Sequence, residues 1–424
     1  MKSLLITALI VLALLLSCKE DAEESLFNPE NINNGPTPTI TAISPVGSTF
    51  AGVGEMIISG ANFNPTQPYE EYNQVAFGES ETARLAKIVS MTANEIIIVP
   101  PVLVGNAIPI RISSRGSDKY SEPFYYKLKA AVSKIQTFGA GIDLPTAVTV
   151  DALENVYAYV DESSRSRKII SKITPEEESS IYYQFQGGDV LTSAAKGSPG
   201  LKYNSDGNLY GIASLSRSKA VLTITDGGEN LFATIPRTLI SESIDLDFDQ
   251  NGNIWIVGFI GNNGVIIKVT PAAAVSEEAT APAPLYVSRV YEDAGTTYLY
   301  AAGSSADLSE HKIWRWEINP DGTLGSPEVV LDAAAASWLA GQRILTLTFG
   351  ADGRIVLGTA GSGDGVYFYD PVSGSNEVLF PDLIPVPIND IEWGTKNFIY
   401  ATNSDSAWIM KIDVESSGAP YYGR

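Results

Sequence analysis

The sequence predicts an all-β protein in which a small β-sandwich is followed by a six-bladed β-propeller. Between residues 38 and 128, short apolar runs alternate with turn residues, a spacing typical of a sandwich. After residue 130, one strand–turn–strand pattern recurs along the chain. Its most complete copy, Ile244–Val257, has alternating apolar positions, a positive-φ turn at Asn251-Gly252 and then a fully apolar run. These two patterns define the two predicted folded domains of the chain.

Six copies of the strand–turn–strand pattern are found. The other five lie at residues 148–160, 201–213, 286–302, 345–359 and 388–402. Their second strands are 44 to 56 residues apart, a period that indicates propeller blades with several strands each. A third strand follows each copy, and several of these strands run into a proline that ends them. Only three strands fit after the sixth copy begins, so we expect Val132–Phe138 to complete the last blade and close the ring.

The segment 38–128 also carries motifs in a fixed order. Ile40–Pro45 is followed by Ile58-Ser59-Gly60-Ala61-Asn62-Phe63, then by Val75–Gly78 and by Ile98–Pro101. This order resembles the IPT/TIG immunoglobulin-like domain over nearly the whole segment. The resemblance implies that Gly60, Asn62 and Phe63 shape a turn and the core, and that the domain serves as a spacer or a protein-contact module.

The segment 129–424 is similar to NHL-repeat propellers. Their Asp-x-x-Gly-Asn-Ile/Leu-Tyr/Trp element is complete in Asp249–Trp255 and begins with Asn in Asn204–Tyr210. The copy at 286–302 carries Asp-Ala-Gly-Thr-Thr in its turn, and Gly394–Asn397 lacks the Asp-Gly pair. We interpret the acids Asp245, Asp247 and Asp249 as turn and edge positions, because the other copies change them while keeping the apolar alternation.

The N-terminus predicts a lipoprotein. Residues 1–17 form a basic, then apolar signal peptide too short to span a membrane, and it ends directly before Cys18. This resembles a bacterial lipobox, which implies acylation of Cys18 and a membrane anchor; a plain secretory signal with an incidental cysteine is the alternative. Residues 18–37 have the composition of a flexible tether. Their start, Lys19–Glu24, looks like the export signal of Bacteroidota surface lipoproteins and implies an outer-membrane location facing the exterior.

Composition excludes several functions. A net charge of −21 without a basic patch excludes nucleic acid as a partner. Because the chain has one cysteine, Cys18, and one histidine, His311, we expect no disulfide, no Cys/His zinc site and no cofactor. The run Asp247–Gly252 matches the first half of an EF-hand loop, but Gly258 stands where the bidentate glutamate is needed, so no metal site is predicted.

Two groups of residues are candidates for binding a ligand. The long loop 332–343 leads into an inner strand and carries Trp338, Gln342 and Arg343 near the channel mouth, where Trp338 either stacks on a sugar ring or plugs the loop. Polar residues also alternate with core positions on the inner strands. Lys202, Asp247 and Glu392 are the charged ones, and they either line the channel for a ligand or form buried pairs between blades. No catalytic residue is assigned.

Together these features resemble a class of Bacteroidota surface lipoproteins. The expected function is non-enzymatic capture of a glycan or another nutrient, such as a peptide, beside a SusC/SusD-type transporter. Two alternatives stay open at this stage. One is a hydrolase or lyase with an active site at the channel face, and the other is a scaffold that docks a protein.

Overall fold

A computed structural model describes residues 35–79, 81–186, 191, 200–215, 217–339, 341–361 and 363–423. Cys18, with the signal peptide and most of the tether, lies outside the described residues. The chain divides into two compact units between Lys129 and Ala130. Both are built from β-strands, and no helix among the described residues is long and apolar enough to cross a membrane.

The first unit consists of two sheets over a shared core. One sheet has the order β1–β3–β7–β6 and the other the order β2–β9–β8–β4–β5. The strands are β1 (Thr39–Ser44), β2 (Ser48–Phe50), β3 (Met56–Ala61), β4 (Asn73–Phe77), β5 (Arg84–Leu85), β6 (Lys87–Met91), β7 (Glu95–Val99), β8 (Gly105–Ser114) and β9 (Phe124–Lys129). A short helix, α1 (Tyr69–Tyr72), precedes β4. Apolar side chains from alternate positions of both sheets, such as Ile58, Ile98 and Ile112, are fully buried between them.

The motif at residues 60–63 has the structural role that the sequence predicts. A Cβ on Gly60 would lie 1.9 Å from the carbonyl oxygen of Thr39, so this position admits only glycine. Asn62 takes a positive φ of 66° and its amide donates to Thr37 O at 2.9 Å. Phe63 is buried in the core. The three residues therefore fix a turn and do not form a binding site.

The described part of the second unit contains six four-stranded antiparallel sheets. In the first three sheets the strands are β11 (Asp143–Val150), β12 (Val156–Glu162), β13 (Arg167–Ile173) and β14 (Ser179–Gln184); β15 (Leu201–Tyr203), β16 (Leu209–Ser214), β17 (Ser218–Thr225) and β18 (Gly228–Pro236); β19 (Glu242–Phe248), β20 (Ile254–Ile260), β21 (Asn263–Val269) and β22 (Val275–Ala281). The fourth and fifth contain β23 (Leu285–Asp293), β24 (Thr296–Ser304), β25 (His311–Glu317) and β26 (Glu328–Asp332); β27 (Arg343–Phe349), β28 (Ile355–Ala360), β29 (Val366–Tyr369) and β30 (Asn376–Val378). The sixth contains β31 (Asp390–Trp393), β32 (Phe398–Asn403), β33 (Trp408–Asp413) and β10 (Val132–Thr137).

The six sheets form a closed ring, the arrangement of a β-propeller. Each first strand (β11, β15, β19, β23, β27 and β31) contacts the first strand of the next sheet, and β31 contacts β11. Apolar clusters fill the spaces between neighbouring sheets. The predicted closure is confirmed, because β10 from before the first sheet pairs antiparallel with β33. No strand edge is left open where the ring joins.

The turn between the first and second strands is held by an aspartate. In the third sheet, Oδ1 of Asp249 accepts the backbone N–H groups of Asn251 and Asn253, both at 2.9 Å, and Oδ2 accepts the indole N–H of Trp255 at 3.0 Å. Asp151 holds the first turn in the same way. Asp249 therefore stabilises a turn, as the sequence predicts, and Asp151 does the same in Asp151–Asn155, where Glu154 stands in place of the glycine.

Candidate functional site

The centre of the ring is occupied by six ionisable side chains from four first strands. They project from β15, β19, β23 and β31, and none is more than 5% exposed. We call this group the hub cluster; its members are Lys202, Asp245, Asp247, Arg289, Asp390 and Glu392.

Ion pairs join the hub cluster across the ring. Lys202 Nζ of the second sheet donates to Glu392 Oε2 of the sixth sheet, two positions away around the ring. The guanidinium of Arg289 lies 3.1 Å from Asp245 Oδ2, 3.5 Å from Asp390 Oδ1 and 3.6 Å from Glu392 Oε2. Each cation thus contacts carboxylates from other sheets, which ties the sheets together at the axis.

Backbone and hydroxyl groups bind the remaining carboxylate oxygens. Val290 N donates to Asp247 Oδ2 at 2.7 Å, and Val148 N donates to Asp390 Oδ2 at 2.9 Å. Asp390 Oδ1 also accepts a hydrogen bond from Thr346 Oγ1 at 3.0 Å. These bonds leave the carboxylates engaged by the protein itself.

Burial controls the protonation of the hub cluster, in which four carboxylates face two cations. It raises the pKa of Asp390 to about 6 and that of Asp245 and Asp247 above the usual range, with Lys202 and Arg289 opposing the shift. Burial alone would lower the pKa of Arg289, but the carboxylates around it raise the pKa above its usual value. Arg289 therefore stays charged, and burial makes the aspartates bind protons more readily than exposed carboxylates do.

The prediction that Asp245 and Asp247 lie at turn or edge positions is wrong, and the sequence did not reveal all the residues of the hub cluster. Asp245 and Asp247 do not occupy turn or edge positions; both are buried at the axis. Of the two alternatives for Lys202, Asp247 and Glu392, the structure places them in buried contacts between sheets, not along an open channel. These contacts depend on the ring, because it brings together residues that are 43 to 190 positions apart in the sequence.

One end of the hub cluster is covered by the C-terminal strap, residues 414–423. Ala351 N donates to Ser417 O and Ala419 N donates to Phe349 O, both at 2.9 Å, which fixes the strap to the fifth sheet. Beyond that point, the ring of Tyr421 lies 5.8 Å from Lys202 Nζ. The strap thus crosses from the fifth sheet towards the second.

The strap lies on the turn face, the end of the ring that carries the turns between first and second strands. Tyr422 Oη donates to Glu292 Oε2 of the fourth sheet at 2.8 Å. Between the strap and the hub cluster, a space of about 20 Å³ borders Arg289 and Glu392, room for about one water molecule. A shallow cavity of about 380 Å³ lies beside the strap, lined by Ala152, Gly394 and Thr395 as well as the strap itself.

The predicted loop residues pack inside the fifth sheet. Trp338 lies in a single 3₁₀ turn, Ser337–Leu339, with its ring centroid 5.2 Å from that of Tyr367 and 6.0 Å from that of Tyr369. Gln342 is 4% exposed; it donates to Tyr367 Oη at 3.0 Å and accepts from Thr359 Oγ1 at 2.8 Å. These contacts match the plugging alternative for Trp338 and make Gln342 a core residue.

Arg343 has a different environment. Its guanidinium lies 5.4 Å from the ring centroid of Tyr286. Nearby, the Nε2 atom of His311 accepts a hydrogen bond from Ile344 N at 3.2 Å, while burial and Arg343 lower the pKa of His311 to about 4. The histidine is therefore a neutral structural acceptor, and Arg343 points to a region that sequence interpretation did not single out.

That region is a cavity on the loop face, the end of the ring opposite the turn face. It has a volume of about 570 Å³, within the range of small-molecule sites. It lies between the third and fourth sheets and is formed by the β20–β21 turn, the segment leading into β23 and the β24–β25 loop. We call it the loop-face cavity; its lining residues are Phe259, Gly261, Asn262, Pro282, Pro284, Tyr286, Ser305, Ala306, Asp307 and Ser309.

The lining combines aromatic and polar groups. Phe259 is half-buried and meets the buried ring of Tyr286 edge to face, with centroids 6.3 Å apart. Asp307 is exposed, and hydrogen bonds from Ser305 and Ser309 lower its pKa to about 2. The cavity thus offers an apolar wall, an ionised carboxylate and several hydroxyl and amide groups.

No catalytic or metal-binding arrangement accompanies this cavity. The described residues contain no group of three or more His, Cys, Asp or Glu side chains placed to hold a metal ion. The most accessible carboxylate, Asp307, has no acid or base partner among the cavity-lining residues.

Sequence interpretation did not reveal Arg289 and Asp390 of the hub cluster, or Phe259, Tyr286 and Asp307 of the loop-face cavity. Arg289 follows an apolar run in the copy at 286–302, and its partners on other sheets are 44 to 103 residues away. Phe259 and Tyr286 occur in ordinary strand sequences. The one available signal was that three loops flanking the third and fourth sheets are rich in Gly, Asn, Pro and Ser.

The sequence matches no protein family and no curated protein. Among solved structures, it is similar in fold to a protein of unknown function from Bacteroides thetaiotaomicron, with 15% identity, a TM-score of 0.46, and coverage of 89% of this chain and 98% of that one. A luciferin-regenerating enzyme shares 11% identity with a TM-score of 0.47, covering 68% of this chain and 98% of its own. PorZ, a surface component of the type-IX secretion system of Porphyromonas gingivalis, shares 9% identity with a TM-score of 0.40, covering 89% of this chain and 63% of its own.

Proposed function

We propose that this chain is a lipid-anchored protein of the outer-membrane surface that captures a glycan without catalysing a reaction. In this proposal, acylated Cys18 and a tether carry an IPT/TIG-type immunoglobulin-like domain, which holds a six-bladed NHL-like propeller away from the membrane. A SusC/SusD-type transporter is the proposed partner that takes over the ligand. The sequence features that support the anchor are the single cysteine after an apolar signal and the charged tether behind it.

The observation that carries the proposal is the contrast between the two ends of the ring. At the turn face, the strap covers a hub cluster whose charged groups bind one another. At the loop face, the cavity of about 570 Å³ is open, and its polar groups are in contact with solvent. Of the two open cavities described, the loop-face cavity is the larger, and it lies at the face where propeller loops vary most.

The lining chemistry suits a sugar. The half-buried face of Phe259 can pack against the C–H face of a pyranose ring. Asn262, Asp307 and Ser309 lie on loops around it and offer donors and acceptors for hydroxyl groups. A pocket lined by an aromatic residue and planar polar side chains needs no metal or nucleophile to hold such a ligand.

The enzyme alternative is not favoured by the hub cluster. Its carboxylates contact Lys202, Arg289 and backbone N–H groups, and the adjoining space admits about one water molecule. A substrate has no room next to them. The docking-scaffold alternative uses the same loop face and differs only in the size of the partner.

Two experiments test the proposal. First, metabolic labelling with a fatty acid should mark the full chain and not its Cys18→Ala variant, and protease added to intact cells should remove the labelled protein. Second, the purified full chain should bind members of a glycan array, and Phe259→Ala should weaken that binding at least tenfold. Absence of any glycan ligand, with co-purification of a protein that resists Phe259→Ala, would replace glycan capture by docking.

A further inference from the structure

We infer that the loop-face cavity recognises a positively charged amine, so that the captured glycan carries an amino sugar. This inference rests on the proposed function and narrows its ligand class. It is drawn from the charges around the cavity, the geometry of Asp307 and the free face of Phe259.

Asp307 is held so that one oxygen remains for a ligand. Ser305 Oγ donates to its Oδ1 at 2.6 Å, Ser309 Oγ donates at 2.8 Å and Ser309 N at 3.2 Å. All three bonds go to the same oxygen, and Oδ2 receives none of them. The loop therefore fixes the carboxylate orientation, and the hydrogen bonds keep it ionised throughout the physiological pH range.

No lysine or arginine is among the residues that line the cavity. Of the cations in neighbouring segments, Lys312 pairs with Glu310 at 2.7 Å, and the guanidinium of Arg343 lies 5.4 Å from the ring centroid of Tyr286 without lining the cavity. The whole chain carries a net charge of −21, which further favours cations at its surface. A neutral ligand would offer the Asp307 carboxylate only hydroxyl hydrogen bonds, whereas an ammonium group would also form an ion pair with it.

The aromatic wall favours the same ligand. Among the described residues, the ring of Tyr286 has a cation contact, from Arg343, but the ring of Phe259 has none. Phe259 and Asp307 line the same cavity, and an aromatic ring and a carboxylate in one cavity can bind an ammonium group through combined cation–π and ionic attraction. Because both groups are solvent-accessible, we expect a protonated amine to improve affinity by roughly three- to thirtyfold over its acetylated counterpart.

Isothermal titration of the full chain, purified in detergent, tests this inference. The two probes are a tetramer of β-1,4-linked glucosamine and the fully N-acetylated tetramer, in mildly acidic buffer where the amines are protonated. We expect the glucosamine tetramer to bind more tightly, with a preference that weakens as salt is raised. Asp307→Asn keeps an oxygen for the serine bonds and should reduce the preference to within about twofold.

A matched variant separates local recognition from the loss of one charge. Asp321 is exposed and accepts turn bonds from Thr323 N at 3.0 Å and Thr323 Oγ1 at 2.6 Å, but it does not line the cavity. Asp321→Asn should therefore leave the preference unchanged. Equal binding of both tetramers, or a preference that survives Asp307→Asn, overturns the inference. If neither tetramer binds but a neutral glycan does, the amine inference is wrong while glycan capture stands; if no glycan binds, the proposed function itself fails.

Discussion

The buried carboxylate of Glu154, which is 3% exposed, links the first sheet to the sixth, as does the hydrogen bond from Val148 N to Asp390 Oδ2. The sixth turn, Gly394–Asn397, has no aspartate of its own. Glu154, from the first turn, takes that place: its Oε1 accepts hydrogen bonds from Thr395 N, Thr395 Oγ1 and Lys396 N, and its Oε2 accepts one from Tyr400 Oη at 2.8 Å. A missing residue in one sheet is thus supplied by its neighbour, at the place where the ring closes.

Replacing Glu154 by Gln keeps the shape of the side chain and removes its charge. The amide can accept from one set of donors only, so either the Thr395 and Lys396 groups or the Tyr400 hydroxyl lose a charge-assisted bond. Such bonds contribute about 1.5–3 kcal/mol, and a neutral bond about 1, so Glu154→Gln should lower the free energy of unfolding by about 1–2 kcal/mol. Glu154→Ala leaves all four donors without this acceptor and should cost about 3–5 kcal/mol.

Urea unfolding followed by tryptophan fluorescence measures both variants. Glu177→Gln is the matched control, because Glu177 also links the first and sixth sheets, through Lys411 at 3.6 Å, but its side chain is 49% exposed. That exposed pair should change stability by less than about 1 kcal/mol. If Glu154→Gln and Glu177→Gln have the same effect, the assignment of Glu154 as the closing contact is wrong.

Three further outcomes are expected. Lys202→Met should cost about 3–5 kcal/mol in urea unfolding because it removes the buried ammonium group that pairs with the carboxylate of Glu392, and adding Glu392→Leu should restore most of that loss. Because burial raises the pKa of Asp390 from 3.8 to about 6, the folded chain binds the proton more tightly than the unfolded chain; stability should therefore fall as pH rises from about 4 to about 6, and Asp390→Asn should flatten that slope. Gly418→Ala places a Cβ 2.5 Å from Trp393 Cγ and should displace the strap, seen as faster proteolysis of the C-terminus and about 1–3 kcal/mol lower stability.

Local patterns in the sequence predict the strands and turns of the ring because they depend on near neighbours. The alternation around Leu246 and Phe248, the Asn251-Gly252 turn and the role of Asp249 all involve residues within one hairpin. The closure by Val132–Thr137 was also predictable, since it follows from counting strands. These features need only periodicity and turn chemistry, which a single sequence contains.

The candidate site could not be predicted in the same way. Arg289 contacts Asp245, Asp390 and Glu392 because the ring places four first strands around one axis, and no local pattern records that arrangement. Trp338 has the same limit: an aromatic residue in a long loop fits a binding platform or a plug, and its contacts with Tyr367 and Tyr369 of the fifth sheet match the plug. Contacts between residues far apart in the sequence determine how exposed such a side chain is and which residues it contacts. Sequence periodicity gives no information about these contacts.

The distribution of charge explains why binding and stability are separated in this ring. A channel lined by free carboxylates and cations would attract ligands, but burying six charged groups is favourable only when they satisfy one another, as Lys202 and Arg289 do with the acids around them. The charged groups at the axis therefore bind one another and hold the sheets together, and they are not free to bind a ligand. Asp307 does not bear this constraint, because it lies at the loop face, where water stabilises its charge until a ligand arrives. Substitutions at the loop-face cavity should therefore alter ligand choice with little effect on the fold, whereas substitutions in the hub cluster should do the reverse.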